Sequence, residues 1–209
     1  MHPHANFPAL IPSDLLDARL FATREDMLAR LGIPTGGTLV EVGVALGDFS
    51  EFMIQTLQPS RFIAIDTFQM HLYPEHWGRP STQIFKGKTH AEFYQARFNH
   101  ERRVELHVGI SHITLEQFQD HSFDLIYVDA GHDYDSVATD AMVAARKVKP
   151  SGALVFNDYT LFDPFLNAPY GVVPAVNELI RRGEWQVVGF ALQRHMFCDI
   201  ALKRAGGAL

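Results

Sequence analysis

Cysteine is almost absent: Cys198 is the only one among 209 residues. An intramolecular disulfide and any cysteine-based zinc site are therefore excluded. Its place in the apolar run from Met196 to Leu202 predicts a buried, inert thiol. Long apolar runs are also missing, since none approaches the ~20 residues that span a bilayer. The opening MHPHANFPALIP lacks the charged start and continuous apolar core of a signal peptide. A cytoplasmic protein without a membrane partner is expected. Basic charge is scarce too, with 18 Lys and Arg against 24 Asp and Glu, a formal net charge of −6. A nucleic-acid backbone needs a concentrated basic surface, so no nucleic acid is expected as partner.

What is present is ordinary globular material, 47% hydrophobic and 20% charged, enough for one domain with a sizeable core. Its organising stretch is Thr38 to Asp66. Leu39, Val40, Val42 and Val44 form an apolar run that meets small residues at Gly43, Ala45 and Gly47. An amphipathic segment and a second apolar run ending on Asp66 follow. This reads as strand, tight turn, helix and strand, a unit that binds a nucleoside-containing cofactor: the turn admits close backbone approach and the terminal carboxylate accepts ribose hydroxyls. The helix start is read from Asp48 with Glu51 three residues on, as in a capping box.

Around this unit, residues 1–37 read as an N-terminal arm and helical cap, with Leu15, Leu16, Leu20, Met27, Leu28 and Leu31 at helical spacing. The cap covers the sheet, reaches a neighbouring subunit in a homodimer, or closes over a substrate. Residues 38–209 form the main domain, interrupted at 67–88 by an irregular, aromatic-rich segment that reads as a lid. Further strands are expected at Val104–Val108, Phe123–Val128 and Ala153–Phe156, with a helix over Asp135–Val148. Two last apolar runs, Gln186–Leu192 and Met196–Lys203, lie too close for a parallel crossover and must form an antiparallel hairpin. The fold class is α/β: a Rossmann-like three-layer sandwich with a mostly parallel seven-stranded sheet and a C-terminal antiparallel hairpin.

The cofactor is narrowed by what the turn lacks. A dinucleotide fingerprint needs glycine at 43, 45 and 48, where this chain has Gly43, Ala45 and Asp48, and no Gly-Lys-Ser/Thr follows for a phosphate loop. Asp48 would repel a pyrophosphate but favour a cationic amino-acid moiety; its bland role is to cap the helix. The pattern Glu41-x-Gly43-x-Ala45-x-Gly47 resembles the first motif of class I S-adenosylmethionine-dependent methyltransferases. That resemblance, from about Thr38 to the C-terminus, implies S-adenosylmethionine held by Glu41, Gly43, Ala45, Gly47, Asp48, Asp66 and Asp129. It places Gly109, Ile110 and Ser111 along the adenine. Ala45 departs from the commonest glycine, a mild change if its backbone angle is ordinary.

Two more strand ends carry acids. IYVDAGHDYDS supplies Asp129, His132 and Asp133, and LVFNDYTLF supplies Asn157, Asp158 and Tyr159. Adjacent strand tips are neighbours in a doubly wound sheet, so Asp129, Asn157 and Asp158 are candidate oxygen ligands for Mg, Ca or Mn. This set resembles the metal-dependent small-molecule O-methyltransferases, nearest the bacterial macrocin- and novobiocin-type branch and more distantly the catechol and caffeoyl-coenzyme-A type. Here the fifth-strand pair is Asn-Asp where those families have Asp-Asp or Asp-Asn. His132 has a pKa suited to taking a hydroxyl proton, or it packs; with Asp129 it forms the candidate catalytic pair. His71, His76 and His90 match no usual zinc spacing. Phe68, Tyr73, Trp77 and Tyr170 wall an apolar acceptor pocket or simply pin their loops. The expectation is methyl transfer from S-adenosylmethionine to an oxygen of a small-molecule acceptor, assisted by a divalent cation. An NAD(P)-dependent oxidoreductase and a non-catalytic binding protein on the same fold are the alternatives.

Overall fold

The computed structural model describes residues 6–206, so the first five residues of the expected arm lie outside it. In chain order the elements are β1 (Arg19–Phe21), α1 (Arg24–Ala29), β2 (Thr38–Val42), α2 (Asp48–Leu57) and β3 (Arg61–Asp66). A small hairpin, β4 (Glu75–His76) and β5 (Arg79–Pro80), precedes α3 (Ser81–Phe85) and α4 (His90–Arg97). Then come β6 (Val104–Val108), α5 (Ser111–Glu116), β7 (Phe123–Val128), α6 (Tyr134–Lys147) and β8 (Val148–Phe156). A second hairpin, β9 (Phe162–Asp163) and β10 (Ala168–Pro169), leads to α7 (Val172–Arg181), β11 (Trp185–Ala191) and β12 (Asp199–Arg204).

Eight strands form one sheet in the order β1-β11-β12-β8-β7-β2-β3-β6. The Rossmann-like α/β fold is as expected, and β11 and β12 pair antiparallel as their short connection requires. The eighth strand is the difference. Residues 13–31 were expected to be helical, yet Arg19–Phe21 pair in parallel with Gly189–Ala191, leaving only α1 as α-helix. A three-residue edge strand carries too little period to be told from helical spacing. The 67–88 segment is also more regular than expected, holding β4, β5 and α3.

Side-chain alternation along the parallel strands splits the core into the two layers of a sandwich. Val40, Val42, Ile63 and Ile65 meet Leu115, Val137, Ala141 and Ala144 from α5 and α6 on one face. Leu39, Phe62 and Ala64 meet Met27, Leu28, Met53 and Tyr94 from α1, α2 and α4 on the other. Leu39, Met53, Phe62 and Ile63 are fully buried, and each is worth about 1.5–3 kcal/mol relative to exposure. Helix α6 begins where the Asp133 carboxylate accepts the Ser136 N–H at 3.0 Å, and α4 has a capping box between Thr89 and Glu92.

After β2 the chain moves outward through β3 and β6, then returns to place β7 against the other side of β2. Such a switch point opens a crevice at the carboxyl ends of the strands. The Asp129 N–H donates to the Val42 carbonyl at 2.7 Å, and Gly43 N–H donates to Ile65 at 2.8 Å. These bonds press the β2 turn so close to β7 that a Cβ on Gly43 would lie 1.9 Å from the Asp129 carbonyl oxygen. Gly43 and Gly47 both have φ near 85°, and Ala45 between them has φ of 43°. The expectation of an ordinary backbone angle at Ala45 is thus corrected: the turn alternates left-handed residues, and Ala45 carries strain that glycine would not.

Gly43→Ala should therefore lower stability by more than about 3 kcal/mol, because neither backbone can give way. Ala45→Gly should raise it by about 0.5 kcal/mol, relief of strain exceeding the added unfolded-state entropy. Urea unfolding of both variants checks the pair; a Gly43→Ala protein with the parent midpoint contradicts the close contact.

Candidate functional site

Above the switch point lies a cleft of about 320 Å³ lined by Gly43, Ala45, Asp66, Gly109, Ser111 and Asp129 among others. Asp66 is fixed by its neighbours: one carboxylate oxygen accepts the Val44 N–H at 2.9 Å and the other the Phe68 N–H at 2.7 Å. Oδ1 also accepts the Thr67 hydroxyl at 3.5 Å, and Oδ2 keeps a further acceptor position for a ligand hydroxyl. Glu41 and Asp48 do not line this cleft; they border an adjoining one of about 400 Å³ with Arg24, Phe49, Trp77 and Arg79. The 67–88 segment touches both, through Thr67 and Met70 in the first and Trp77 and Arg79 in the second.

Two expectations for this region change. Asp48 does not cap α2: Gly47 is the N-cap, no side chain bonds the helix start, and the Asp48 carboxylate pairs with Arg97 at 2.6 Å. Arg97 also takes Glu51 at 2.6 Å, so the supposed capping box is a cross-helix ion pair. Nor do the four aromatics gather into one wall. Phe68 is buried against His90 and Tyr94, Tyr73 and Trp77 are exposed, and Tyr170 is buried on His132.

Glu41 is wholly buried beside the turn. Its carboxyl accepts from the Ser50 hydroxyl, which in turn accepts from the Tyr94 hydroxyl at 2.9 Å. Burial pushes its pKa well above the usual carboxylate range, against the opposing effect of the Ser50 bond. Through Ser50 and Tyr94, Glu41 links β2 to α2 and α4.

The tips of β7 and β8 converge as expected, but with a different third member. His132 Nε2 lies 3.3 Å from Asp158 Oδ2 and 3.7 Å from Asp129 Oδ1. One ligand atom from each of the three residues falls within 4.8 Å of the others. Asn157, predicted as a ligand, instead donates through Nδ2 to Asp199 Oδ1 at 3.0 Å, because its side chain faces the β12 neighbour. Asp158 adopts φ of 52°, which re-aims its carboxylate toward His132. Burial raises the Asp158 pKa to about 6, assisted by the Asp129 charge and opposed by His132. Burial pulls His132 down, but the Asp129 and Asp158 carboxylates outweigh it and the ring ends above its ordinary value. The His132 ring stacks on Tyr170 at 4.5 Å with planes 5° apart, and the Tyr170 hydroxyl donates to Asp163 at 2.8 Å.

Three residues of the site carried no sequence signal that was used. Arg24, at the start of α1, donates from Nη1 to the Tyr127 hydroxyl at 3.0 Å, lies 3.7 Å from Asp129 Oδ2 and sits 3.9 Å over the Phe49 ring. Tyr127 donates to Asp199 Oδ2 at 2.6 Å. Asp199 is fully buried, with its pKa raised by that burial to about 7. A charged residue at the head of the apolar β12 run was the available clue to Asp199. One residue of the N-terminal segment, Arg24, thus reaches the site. The three histidines considered for zinc pack instead: His90 Nε2 bonds the Ala45 carbonyl, and His71, His76 and His90 surround the Phe85 ring at 5.4–6.4 Å. Among the described residues the cluster of Asp129, His132 and Asp158 alone has metal-ligand spacing. Cys198 is buried, as expected, and no helix among the described residues is long and apolar enough to cross a membrane.

A family model described as a methyltransferase domain matches residues 40–159. Similar solved structures include a SAM-dependent methyltransferase from Aquifex aeolicus, 14% identical over 93% of each chain with a TM-score of 0.56. Fibrillarin from Aeropyrum pernix, in complex with natively bound S-adenosyl-L-methionine, is 12% identical over 86% of this chain and 74% of that one, with a TM-score of 0.58. The tRNA methyltransferase TrmK of B. subtilis is 14% identical over 89% of this chain and 67% of that one, at 0.54. No curated protein matches the sequence. At such identities the structural likeness speaks for the fold.

Glu41 generates a pH-dependent prediction. Its folded pKa is raised above the unfolded value of 4.5, so its contribution to stability is complete below 4.5 and is lost as pH rises through the folded value. Glu41→Gln keeps the acceptor for Ser50 but cannot ionise. Its thermal midpoint should gain on that of the parent protein as pH rises above 4.5; a difference that stays flat with pH contradicts a raised Glu41 pKa.

Proposed function

The chain belongs to the methyltransferase-domain family, and from that premise we propose that it methylates an oxygen of a small molecule with S-adenosylmethionine as donor. The observation that carries this reading is the position of Asp129. It lines the cleft with Gly43, Asp66 and Ser111, it lines a second cleft of about 370 Å³ together with Asp158, and it lies 3.7 Å from His132 Nε2. A nucleoside donor and an acceptor would therefore meet across one side chain. The net charge of −6 favours a small acceptor over a nucleic acid, and family membership removes the nicotinamide alternative.

The residues divide the work as follows. Asp66, anchored by two backbone amides, accepts the ribose hydroxyls. Gly109 and Ser111 border the adenine end, and the left-handed turn at Gly43–Gly47 lets backbone approach the donor's amino-acid part. Arg24, held by the Tyr127 hydroxyl and the Phe49 ring, places its guanidinium 3.7 Å from Asp129. S-adenosylmethionine supplies a methyl group on a sulfonium, an electrophile that needs little beyond orientation. The acceptor oxygen bonds the methyl carbon as the carbon–sulfur bond breaks onto sulfur, leaving a neutral thioether. His132 Nε2, buried and without a hydrogen bond among the described residues, takes the hydroxyl proton. The Asp158 and Asp129 carboxylates favour the resulting imidazolium, and Tyr170 fixes the ring plane.

The same orphaned nitrogen supports a second reading. An unsatisfied Nε2 between two carboxylates, all within 4.8 Å, fits a divalent cation. Asp129, His132 and Asp158 would hold it, and it would lower the pKa of the acceptor hydroxyl.

Calorimetry with S-adenosylmethionine and S-adenosylhomocysteine tests the donor. Both should bind, and Asp66→Ala should weaken them about tenfold or more by removing charge-assisted hydrogen bonds; no heat at millimolar ligand ends the proposal. Asp129→Ala and Asp158→Ala separate the two readings of the cluster when a divalent cation is titrated by calorimetry. Binding to the parent protein that both substitutions abolish supports the cation, whereas no binding leaves His132 as the proton acceptor.

A further inference from the structure

The 370 Å³ cleft beyond Asp129 has a far wall that the methyl-transfer reading does not use. Arg194 and Phe197, on the connection between β11 and β12, face Arg24, Glu25, Asp129 and Asp158 across it. Every carboxylate of the cleft has a basic side chain beside it. Asp129 and Glu25 each lie 3.7 Å from Arg24, and Asp158 lies 3.3 Å from His132 Nε2. Arg194 is different: it is exposed and has no hydrogen bond, ion pair or ring contact among the described residues. An unmatched guanidinium at the mouth of a cleft is a receptor for a planar anion, since its fork of donors suits a carboxylate.

The backbone that presents Arg194 is built against its preferences. Gln193 has φ 53° and ψ 158°, His195 φ 64° and ψ 13°, and Met196 φ 62°. Three left-handed residues in four, none of them glycine, are far more than a hairpin connection requires. The shape is enforced from outside the turn. Gln193 N–H donates to the Ala22 carbonyl at 3.3 Å, and its Nε2 reaches Asp199 Oδ1 at 3.4 Å, so the connection is tied to the chain just before α1 and to the Tyr127–Asp199 network. Strain held in this way at the rim of a cleft marks a position selected for what it presents. Phe197 completes the wall with an aromatic face, backed by Phe165 at 6.1 Å and Tyr170 at 6.5 Å.

We propose that Arg194 binds the carboxylate of the acceptor, so that the acceptor is a hydroxy acid whose hydroxyl points to the Asp129–His132–Asp158 cluster and whose body lies on Phe197. The assignment rests on the methyl-transfer reading for the fate of the hydroxyl, but the anion preference is measured separately from it. The probes are 3- and 4-hydroxybenzoate and the corresponding hydroxybenzamides, which match them in shape and lack the charge. Calorimetry is run on the full chain with and without S-adenosylhomocysteine. At least one acid should bind about tenfold tighter than its amide. Arg194→Ala should erase that preference, Arg194→Lys should keep part of it, and Arg194→Glu should turn it toward 4-hydroxybenzylamine. Equal binding of acid and amide by the parent protein overturns the proposal, as does a preference that survives in Arg194→Ala. Failure of S-adenosylhomocysteine to bind the parent protein strikes the methyl-transfer reading instead, and the comparison of acid with amide still stands on the runs without it.

Discussion

The rest of the site depends on how closely the ends of β2 and β7 approach. The Val42 carbonyl takes the Asp129 N–H at 2.7 Å, and the next residue along β2 has room for no side chain at all. Gly43 is therefore required by contact as well as by its left-handed backbone. Because the turn cannot move away from β7, the Asp129 side chain is delivered to the cleft wall beside Asp66 and the Gly109–Ser111 segment. Because β8 pairs with β7 in register, Val128 opposite Phe156, Asp158 arrives next to Asp129. One backbone contact thus brings the donor side and the acceptor side together.

Around that contact the protein buries ionisable groups and manages each differently. Glu41 has its pKa pushed well above the usual carboxylate range by burial and is hydrogen-bonded to Ser50. Asp199 is buried with Tyr127, Asn157 and Gln193 as donors, and its pKa of about 7 reflects a burial cost that those bonds only partly offset. Arg24 stays charged, pinned between Tyr127, Asp129 and the Phe49 ring. His132 and Asp158 differ from all of these: His132 Nε2 lies 3.3 Å from Asp158 Oδ2 without a completed hydrogen bond. A group left unsatisfied beside satisfied ones is where chemistry is expected.

Some of this was legible in the chain. Asp66 and Asp129, read from strand ends, and Gly109 and Ser111, placed by the family resemblance, line one cleft, and the antiparallel β11–β12 pair follows from a connection too short for anything else. Other elements were not. Asn157 and Asp158 are adjacent, so a strand-end argument treats them alike; the positive φ at Asp158 sends one carboxylate to His132 and leaves the Asn157 amide with Asp199. Asp48 looked like a cap because spacing records position along a helix, and Arg97, its partner, is 49 residues away.

By itself the sequence determined the periodic and compositional features: alternating strands and helices, a tight turn too poor in glycine for a dinucleotide fingerprint, acids at successive strand tips, and a net charge of −6. These are local or compositional properties, set by spacing and residue type. Only the tertiary structure decided that Arg19–Phe21 extend the sheet as an eighth strand, that Arg24 reaches Asp129, and that His132 replaces Asn157 in the cluster. Each of those joins residues distant in the chain or turns on a single backbone angle, and neither leaves a period in the sequence.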